Sequence, residues 1–165
     1  MILTGKVHKF GDDINTDYII SGRYKFKTLD MTELASHIFE DIDPDFSKKI
    51  NPGDFIVAGN NFGCGSSREQ AVLALKYAKI GAIIAKSFAR IFFRNGINVG
   101  LVLIEANTDP ISQHDILQID LLKGHIFNES QNIHVPVKPL PEFLLKIINE
   151  GGIINYLKKY KDFQI

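Results

Sequence analysis

The chain has 165 residues, of which 45% are hydrophobic and 12 are Phe. Because domains usually contain about 150 residues, we expect one domain spanning residues 1–165, with enough apolar residues to exclude intrinsic disorder as its dominant state. The 19 basic and 19 acidic residues cancel to zero formal charge, which is untypical of proteins that bind nucleic acid through its phosphates.

Cysteine content and hydropathy limit the cofactors and the cellular location. The single cysteine, Cys64, excludes an intrachain disulfide and a metal cluster held by several cysteines of this chain. No stretch approaches 18 uninterrupted apolar residues, and the N-terminus lacks the apolar segment of a signal peptide. We therefore expect a soluble cytoplasmic protein that contacts no membrane and itself binds no metal.

The first forty residues are the least regular part of the chain. We expect an initial strand, then a polar loop at residues 11–17, an apolar run at 18–20 and a segment with three basic residues at 21–28. Residues 32–40 have the composition of a helix. Ordinary turn chemistry explains the polar loop, and Tyr18 stands where a calcium-binding loop requires Gly, so a calcium site is excluded.

The middle of the chain alternates between strands and helices. Three short apolar runs predict buried strands, at residues 55–59, 82–85 and 99–105. Apolar residues three and four positions apart predict a helix over 68–80. A shorter helix is predicted to begin at an N-cap Ser87 and to end before Gly96. This alternation predicts a parallel α/β core.

The last third predicts β-structure followed by helix. Residues 114–137 have short apolar positions around a turn at Lys123 and Gly124. Pro139 and Pro141 precede a predicted C-terminal helix that the glycines at 151–152 interrupt. The fold class is therefore α/β, with a parallel core and β-rich flanks.

The strongest local pattern is the glycine-rich segment at residues 59–69, GNNFGCGSSRE, between a predicted strand and helix. Glycines let the backbone approach a ligand closely, and the first N–H groups of a helix favour an anion. Nucleotide binding is disfavoured, because Arg68 stands where a dinucleotide fingerprint requires Gly and no Gly-Lys-Ser/Thr follows. The simpler alternative is that Ser66 and Glu69 form only a capping box.

Two further features leave alternatives open. A thiol near a helix N-terminus can be activated, but Cys64 is interpreted first as an ordinary packed or partly exposed free thiol. Arg90 and Arg94 are four residues apart and share a helix face. They are either solvated or salt-bridged arginines, or a pair that binds a carboxylate or faces a partner.

Three segments in this order and spacing carry a family resemblance: residues 11–17 (GDDINTD), 61–69 (NFGCGSSRE) and 85–91 (AKSFARI). They resemble the small subunits of 3-isopropylmalate dehydratases, which are stand-alone versions of the swivelling last domain of the aconitase superfamily. The resemblance covers nearly the whole chain and implies a swivelling β/β/α domain, consistent with the predicted core and flanks.

The resemblance also implies an activity and a partner. In this family a large subunit carries a [4Fe-4S] cluster, whose iron binds the substrate, and the small subunit closes the site in a heterodimer or heterotetramer. The reaction isomerises 2-isopropylmalate to 3-isopropylmalate by dehydration and rehydration, in leucine biosynthesis. Ser66 would be the general base, Arg68 would bind a substrate carboxylate, and Asp17 would orient it. The other substrate-binding candidates are Arg23, Lys25, Phe26, Thr28 and Ser67.

The implied role of Ser66 is chemically demanding, because a serine hydroxyl is too weak an acid to ionise unaided near neutral pH. It needs a positive environment from the helix N-terminus, the amides of residues 63–66 and Arg68, strengthened by exclusion of water. We therefore expect the isolated chain to be inactive until a partner closes the site.

The chain departs from the family pattern at Ser21 and Gly22, at residues 25–28, and at Gln70, where His is frequent. None of these positions is Ser66 or Arg68, so the reaction type is expected to persist. The substrate remains open: homoaconitate, citraconate/methylmalate and dimethylmalate are alternatives of the same chemistry. A non-catalytic anion-binding module is the alternative from another functional class.

Overall fold

The computed structural model describes residues 1–24 and 30–162. Within them lie seven strands: β1 (Ile2–Lys9), β2 (Phe55–Ala58), β3 (Ala82–Ala85), β4 (Leu103–Glu105), β5 (Ile116–Asp120), β6 (His125–Asn128) and β7 (Ile133–Pro136). They form one sheet in the order β4-β3-β2-β1-β5-β6-β7. The predicted mixed α/β fold is confirmed.

One half of the sheet is the predicted parallel core. β1, β2, β3 and β4 are parallel neighbours, with Phe55 paired to Val7 on one side and to Ala82 on the other. Every residue of β2 and β3 is buried, as expected for strands covered on both faces. Their short, wholly apolar sequences follow from that environment.

The other half of the sheet is antiparallel. β5 pairs with β1 and β6, and β6 pairs with β7, which confirms the β-structure predicted for residues 114–137. In β5 the buried residues Leu117 and Ile119 alternate with more accessible ones. Such alternation is typical of a sheet with one face on the core and the other in solvent.

The described residues contain seven helices: α1 (Thr16–Ile19), α2 (Met31–Ala35), α3 (Phe46–Lys49), α4 (Glu69–Tyr77), α5 (Arg90–Val99), α6 (Glu142–Asn149) and α7 (Ile153–Tyr160). A 3-10 turn covers Gly22–Tyr24. The break between α6 and α7 is at the predicted glycines, Gly151 and Gly152, both at positive φ. Among these helices none is long and apolar enough to cross a membrane.

The helix predicted over residues 32–40 is much shorter than expected. α2 ends at Ala35, and Phe39 has a left-handed φ of 55°, which no continuous α-helix accommodates. Phe39 is fully buried, stacks on Phe10 at 4.5 Å, and its N–H donates to Ile19 O at 3.0 Å. Burial of this ring against residues distant in sequence therefore overrides the local helical preference.

The predicted bounds of the next helix were also wrong. α5 begins at Arg90 rather than after Ser87, continues through Gly96, and ends at a left-handed Gly100 with φ 86°. Gly96 is needed inside the helix because a Cβ there would lie 2.6 Å from Leu103 Cδ1. Since Val99 belongs to α5, the strand predicted over 99–105 starts only at Leu103.

Candidate active site

Three loops meet at one edge of the sheet, where β1, β2 and β3 end. They are residues 10–17, 59–68 and 86–89, and main-chain hydrogen bonds join them: Gly59 N–H donates to Gly11 O, and Lys86 N–H to Gly59 O, both at 3.0 Å. Ligands of parallel sheets bind at the carboxyl ends of the strands. The three loops therefore form a connected layer where a site is expected.

The first loop fixes the backbone beside Ser66. Gly63 N–H donates to Ile14 O at 2.7 Å, and Thr16 N–H to Cys64 O at 2.9 Å. The buried Thr16 hydroxyl donates to Ser66 O at 2.8 Å. Sequence reasoning missed Thr16, because its partner lies fifty positions away. The bond to Ile14 also occupies the Gly63 amide, so that amide is not available to an anion as we had expected.

Ser87 has a role other than the predicted N-cap. Its hydroxyl accepts a hydrogen bond from Asn61 N–H at 2.8 Å, and its carbonyl accepts one from Phe62 N–H at 3.0 Å. At Gly63, with φ +78°, a Cβ would lie 2.1 Å from Phe92 Cγ. The glycine-rich loop therefore contacts both the loop before α5 and α5 itself.

Between the glycine-rich loop and α5 lies a cleft of about 500 Å³. One wall includes Ser66, Ser67 and Arg68, and the other is formed by five residues of α5: Arg90, Ile91, Phe92, Arg94 and Asn95. We call it the arginine cleft, because Arg68, Arg90 and Arg94 all line it.

The serines are free for chemistry and cap no helix. α4 begins at Glu69, and its N-cap is the extended residue Arg68, without a side-chain capping bond. The capping-box alternative for Ser66 is therefore wrong. Ser66 and Ser67 are exposed, and neither hydroxyl has a hydrogen-bond partner in the described part of the chain. Both hydroxyl groups are accessible from the cleft.

Arg68 is the polar group of the site with unmet hydrogen bonds. Its side chain is only 17% exposed and forms an ion pair with Asp17. Nη1 is the atom that contacts the Asp17 carboxylate, whereas Nε is buried without a hydrogen-bond partner among the described residues. An unmet buried donor costs stability. Arg68 is therefore arranged for an acceptor that this chain does not supply, such as a carboxylate.

Among the other predicted substrate-binding residues, Arg23 is described by the structure and does not line the cleft. Arg23 is 57% exposed and pairs with Asp41 at 2.5 Å, with Glu40 at 3.9 Å. Lys25, Phe26 and Thr28 lie outside the described residues. The assignments of these four residues to the substrate stay predictions.

Cys64 has the properties of a packed thiol. Burial raises its pKa, and the nearby charge of Asp13 raises it further, with a smaller opposing effect from a backbone hydrogen bond. An activated thiol needs the opposite change. The interpretation of Cys64 as an unreactive residue is therefore the one the structure favours.

The described residues offer no ligand set for a metal cluster. No three His, Cys, Asp or Glu side chains converge within residues 1–24 and 30–162, and the whole sequence has one cysteine. A cluster needs several thiolates or similar ligands, so the residues described do not fit one.

The chain matches a protein family and is similar in sequence to two small subunits of known enzymes. Residues 14–109 match the family described as the aconitase C-terminal domain. The chain is 57% identical over 165 residues, 100% of both chains, to 3-isopropylmalate dehydratase small subunit 2 of Archaeoglobus fulgidus. It is 55% identical to the methanogen homoaconitase small subunit of Methanocaldococcus jannaschii, covering 99% of this chain and 96% of that one.

A solved structure has the same fold. The crystal structure of 3-isopropylmalate dehydratase from Methanocaldococcus jannaschii superposes with a TM-score of 0.93 at 55% identity. The match covers 98% of this chain and 96% of that chain. The similarity therefore extends over nearly the whole fold.

Proposed function

The chain belongs to the aconitase C-terminal domain family, and on that premise we propose that it is the small subunit of a two-subunit hydro-lyase. The complex isomerises 2-isopropylmalate to 3-isopropylmalate by dehydration and rehydration, a step of leucine biosynthesis. One observation carries the proposal: a buried Arg68 guanidinium with an unmet Nε donor lines the same cleft as the free hydroxyl of Ser66.

In this proposal each group of the chain has one task. The Ser66 oxygen takes the proton from the substrate carbon, as a general base. The Arg68 guanidinium, whose Nε has no partner among the described residues, donates to a substrate carboxylate, for which its planar shape is well suited. Asp17 holds Arg68 by its ion pair. The positive α4 N-terminus and the guanidinium stabilise negative charge on Ser66, and more so once water is excluded.

We infer that the electrophile and the closure of the site come from a large subunit. Ser66 and Ser67 are exposed in this chain, so the cleft needs a second surface to exclude water. We place a [4Fe-4S] cluster on that subunit, where it supplies a Lewis acid for the substrate hydroxyl and a carboxylate. The assembly would be a heterodimer or heterotetramer in the cytoplasm.

The proposal is tested by anaerobic reconstitution with a cluster-bearing large subunit. We expect the complex, and not the chain alone, to interconvert 3-isopropylmalate and 2-isopropylmalate. Ser66→Ala should lose most turnover while the subunits still assemble. Ser47→Ala, on α3 and away from the cleft lining, is the matched control. A complex that assembles and binds dicarboxylates without turnover would instead indicate an anion-binding module.

Homoaconitate is the second candidate substrate, because the homoaconitase small subunit of Methanocaldococcus jannaschii is 55% identical to this chain. The reaction chemistry and the cleft would be the same. A panel containing 3-isopropylmalate, homoaconitate, citraconate/methylmalate and dimethylmalate decides between them. We expect the highest kcat/KM for 3-isopropylmalate, and a higher value for homoaconitate would reassign the substrate.

A further inference from the structure

The 3-10 turn lies beside the ion pair of the site, although the proposed function gives this turn no task. A Cβ placed at Gly22 would have three nearest neighbours, and all of them belong to that pair: Arg68 Nη1 at 3.7 Å, Asp17 Oδ1 at 3.8 Å and Arg68 Nη2 at 3.9 Å. We propose that Glu40 is a positioning residue, which holds the turn beside Arg68 through the hydroxyl of Tyr24.

The Glu40 carboxylate contacts two side chains, one of which belongs to the last residue of the turn. The Tyr24 hydroxyl donates to this carboxylate, with its oxygen 2.9 Å from Oε1 and 2.8 Å from Oε2. His37 Nδ1 lies 2.5 Å from the same Oε2, and the His37 ring stacks on the Tyr24 ring with centroids 3.9 Å apart. Tyr24 is therefore held both at its hydroxyl and along one face of its ring.

The surroundings of Glu40 favour its ionised form. Burial raises the pKa of Glu40, but hydrogen bonds from Tyr24 and His37, with the charges of His37 and Arg23, outweigh it and leave the pKa lowered. The hydrogen bond to Glu40 in turn raises the pKa of Tyr24, so this hydroxyl keeps its proton. Hydrogen bonds with one ionised partner are about twice as strong as those between neutral groups. The contact is therefore a strong one for a single side chain.

The segment that carries Glu40 is itself fixed to the core. Phe39 is fully buried, and its N–H donates to Ile19 O at 3.0 Å. On the other side of Glu40, the Phe39 carbonyl accepts the N–H groups of Ile42 and Asp43, both at 2.9 Å. Glu40 therefore holds the end of the turn from a rigid support.

A second contact between the turn and this segment is at the surface. Arg23 pairs with Asp41 at 2.5 Å, and both side chains are exposed. Exposed ion pairs contribute little to stability. We therefore expect the position of the turn to depend more on Glu40 than on Asp41, although the two residues are adjacent. That makes Asp41 a matched control for Glu40.

The turn matters to Arg68 because the Asp17 pair alone leaves its guanidinium weakly restrained. Asp17 is exposed and is contacted through Nη1, and Nε has no hydrogen-bond partner among the described residues. The Gly22 backbone lies next to the end of the guanidinium formed by Nη1 and Nη2, and thus limits where the guanidinium plane can lie. Recognition of a carboxylate by two parallel hydrogen bonds depends on that plane.

This inference rests on the proposed function, because it assigns a residue that positions Arg68 for the substrate. The first measurement nevertheless needs no activity. Solvent exchange of the Arg68 Nε–Hε proton is followed by NMR in the full-length chain alone. We expect exchange to accelerate about tenfold in Glu40→Ala, because the turn beside the guanidinium is released. Glu40→Gln keeps an acceptor for the Tyr24 hydroxyl and should remain near wild type, as should Asp41→Asn.

The second measurement uses the complex reconstituted with the large subunit. For Glu40→Ala we expect KM for 3-isopropylmalate to rise about tenfold, with kcat changed by less than about threefold, because Arg68 is displaced while Ser66 is untouched. Glu40→Gln should restore most of the wild-type KM, and Asp41→Asn should not change it. A residue that only stabilises the fold would lower the urea midpoint without changing the KM of the folded complex.

Tyr24→Phe removes the same hydrogen bond from the other side and keeps the ring on His37, so it tests the inference even if Glu40→Ala does not fold. Unchanged Arg68 exchange in Tyr24→Phe would overturn the inference, as would an equal effect of Asp41→Asn on exchange or on KM. If the wild-type complex fails to turn over 3-isopropylmalate, the proposed function fails, while the exchange measurement still decides whether Glu40 positions Arg68.

Discussion

Two ion pairs lie beyond opposite ends of strand β2, and they differ in whether all their buried polar atoms have hydrogen-bond partners. At its amino end, Asp54 pairs with His8 at 2.9 Å, with side chains only 10% and 4% exposed. Asp54 also accepts from Asn51 N–H at 2.9 Å and Lys6 N–H at 3.4 Å. Past its carboxyl end, Arg68 pairs with Asp17 through Nη1 but keeps a buried Nε without a hydrogen-bond partner among the described residues.

The difference distinguishes structural charge from charge kept for a ligand. A buried carboxylate with all its acceptors in use contributes to the fold, whereas unmet donors reduce stability unless a ligand arrives. Asp54 therefore joins β1 to the turn before β2. We propose that Arg68, at the carboxyl ends of the strands where the loops meet, is kept for a substrate carboxylate.

The largest expected effect is on catalysis and comes from Ser66→Ala. Removal of a general base typically costs a factor of about a hundred to ten thousand in kcat. Since the Ser66 hydroxyl has no hydrogen-bond partner among the described residues, the thermal midpoint should not change. Turnover of 3-isopropylmalate by the reconstituted complex is the measurement, and normal turnover would remove Ser66 as the base.

Asp54→Asn should lower the stability of the fold rather than the turnover of the complex. It leaves His8 without its charged partner, and breaking such a buried pair typically costs about 3 kcal/mol of unfolding free energy. Urea unfolding of the chain measures this. Asp43→Asn is the control, because its pair with Lys49 is at the surface and surface pairs contribute little. Equal stability of the two variants would contradict the structural role of Asp54.

Arg68→Lys should have a smaller, kinetic effect. Lysine keeps the charge but lacks the planar fork, so we expect KM to rise about tenfold with little loss of stability. Arg23→Lys is the comparison, because Arg23 already pairs with Asp41. An equal rise in KM for Arg23→Lys would place Arg23 at the substrate, as the family resemblance implies. An unchanged KM for Arg68→Lys would contradict the proposal that Arg68 binds a substrate carboxylate.

The smallest effect is a dependence of stability on pH. Burial raises the pKa of Asp54, but hydrogen bonds from Asn51 and His8, the charge of His8 and the Lys6 N–H outweigh it and leave the pKa lowered. A lowered pKa in the folded state stabilises above the ordinary pKa and ceases to do so as pH falls through the folded value.

The difference in urea midpoint between wild type and Asp54→Asn should therefore be present at about pH 5, where Asp54 is ionised. It should narrow below about pH 4, the ordinary range of an aspartate. A gap that widens as the pH falls would contradict the sign of this effect.

The sequence predicted the sheet core well, because β2 and β3 are short, wholly buried runs with little ambiguity. It failed where contacts distant in sequence decide the structure. Gly96 suggested the end of a helix, but close packing on Leu103 keeps it inside α5. Phe39 ends its helix early because its ring is buried against Phe10.

The site was predictable in part. The spacing of the glycine-rich segment at residues 59–69 suggested an anion site beside the capping-box alternative, while the roles proposed for Ser66 and Asp17 came from family resemblance. The Thr16 bond to Ser66 and the approach of α5 could not be predicted, because both depend on tertiary contacts. The sequence left Arg90 and Arg94 open between alternatives, and only the fold placed them in the cleft.

The most direct test of the contrast between the two ion pairs measures stability and turnover on Arg68→Gln and Asp54→Asn together. Arg68→Gln should leave the unfolding free energy unchanged or higher, because an unmet buried donor is removed, and should abolish most turnover of the reconstituted complex. Asp54→Asn should unfold more easily yet retain turnover in its folded fraction. If Arg68→Gln destabilises the chain as much as Asp54→Asn does and retains turnover, Arg68 is a structural residue and the site is elsewhere.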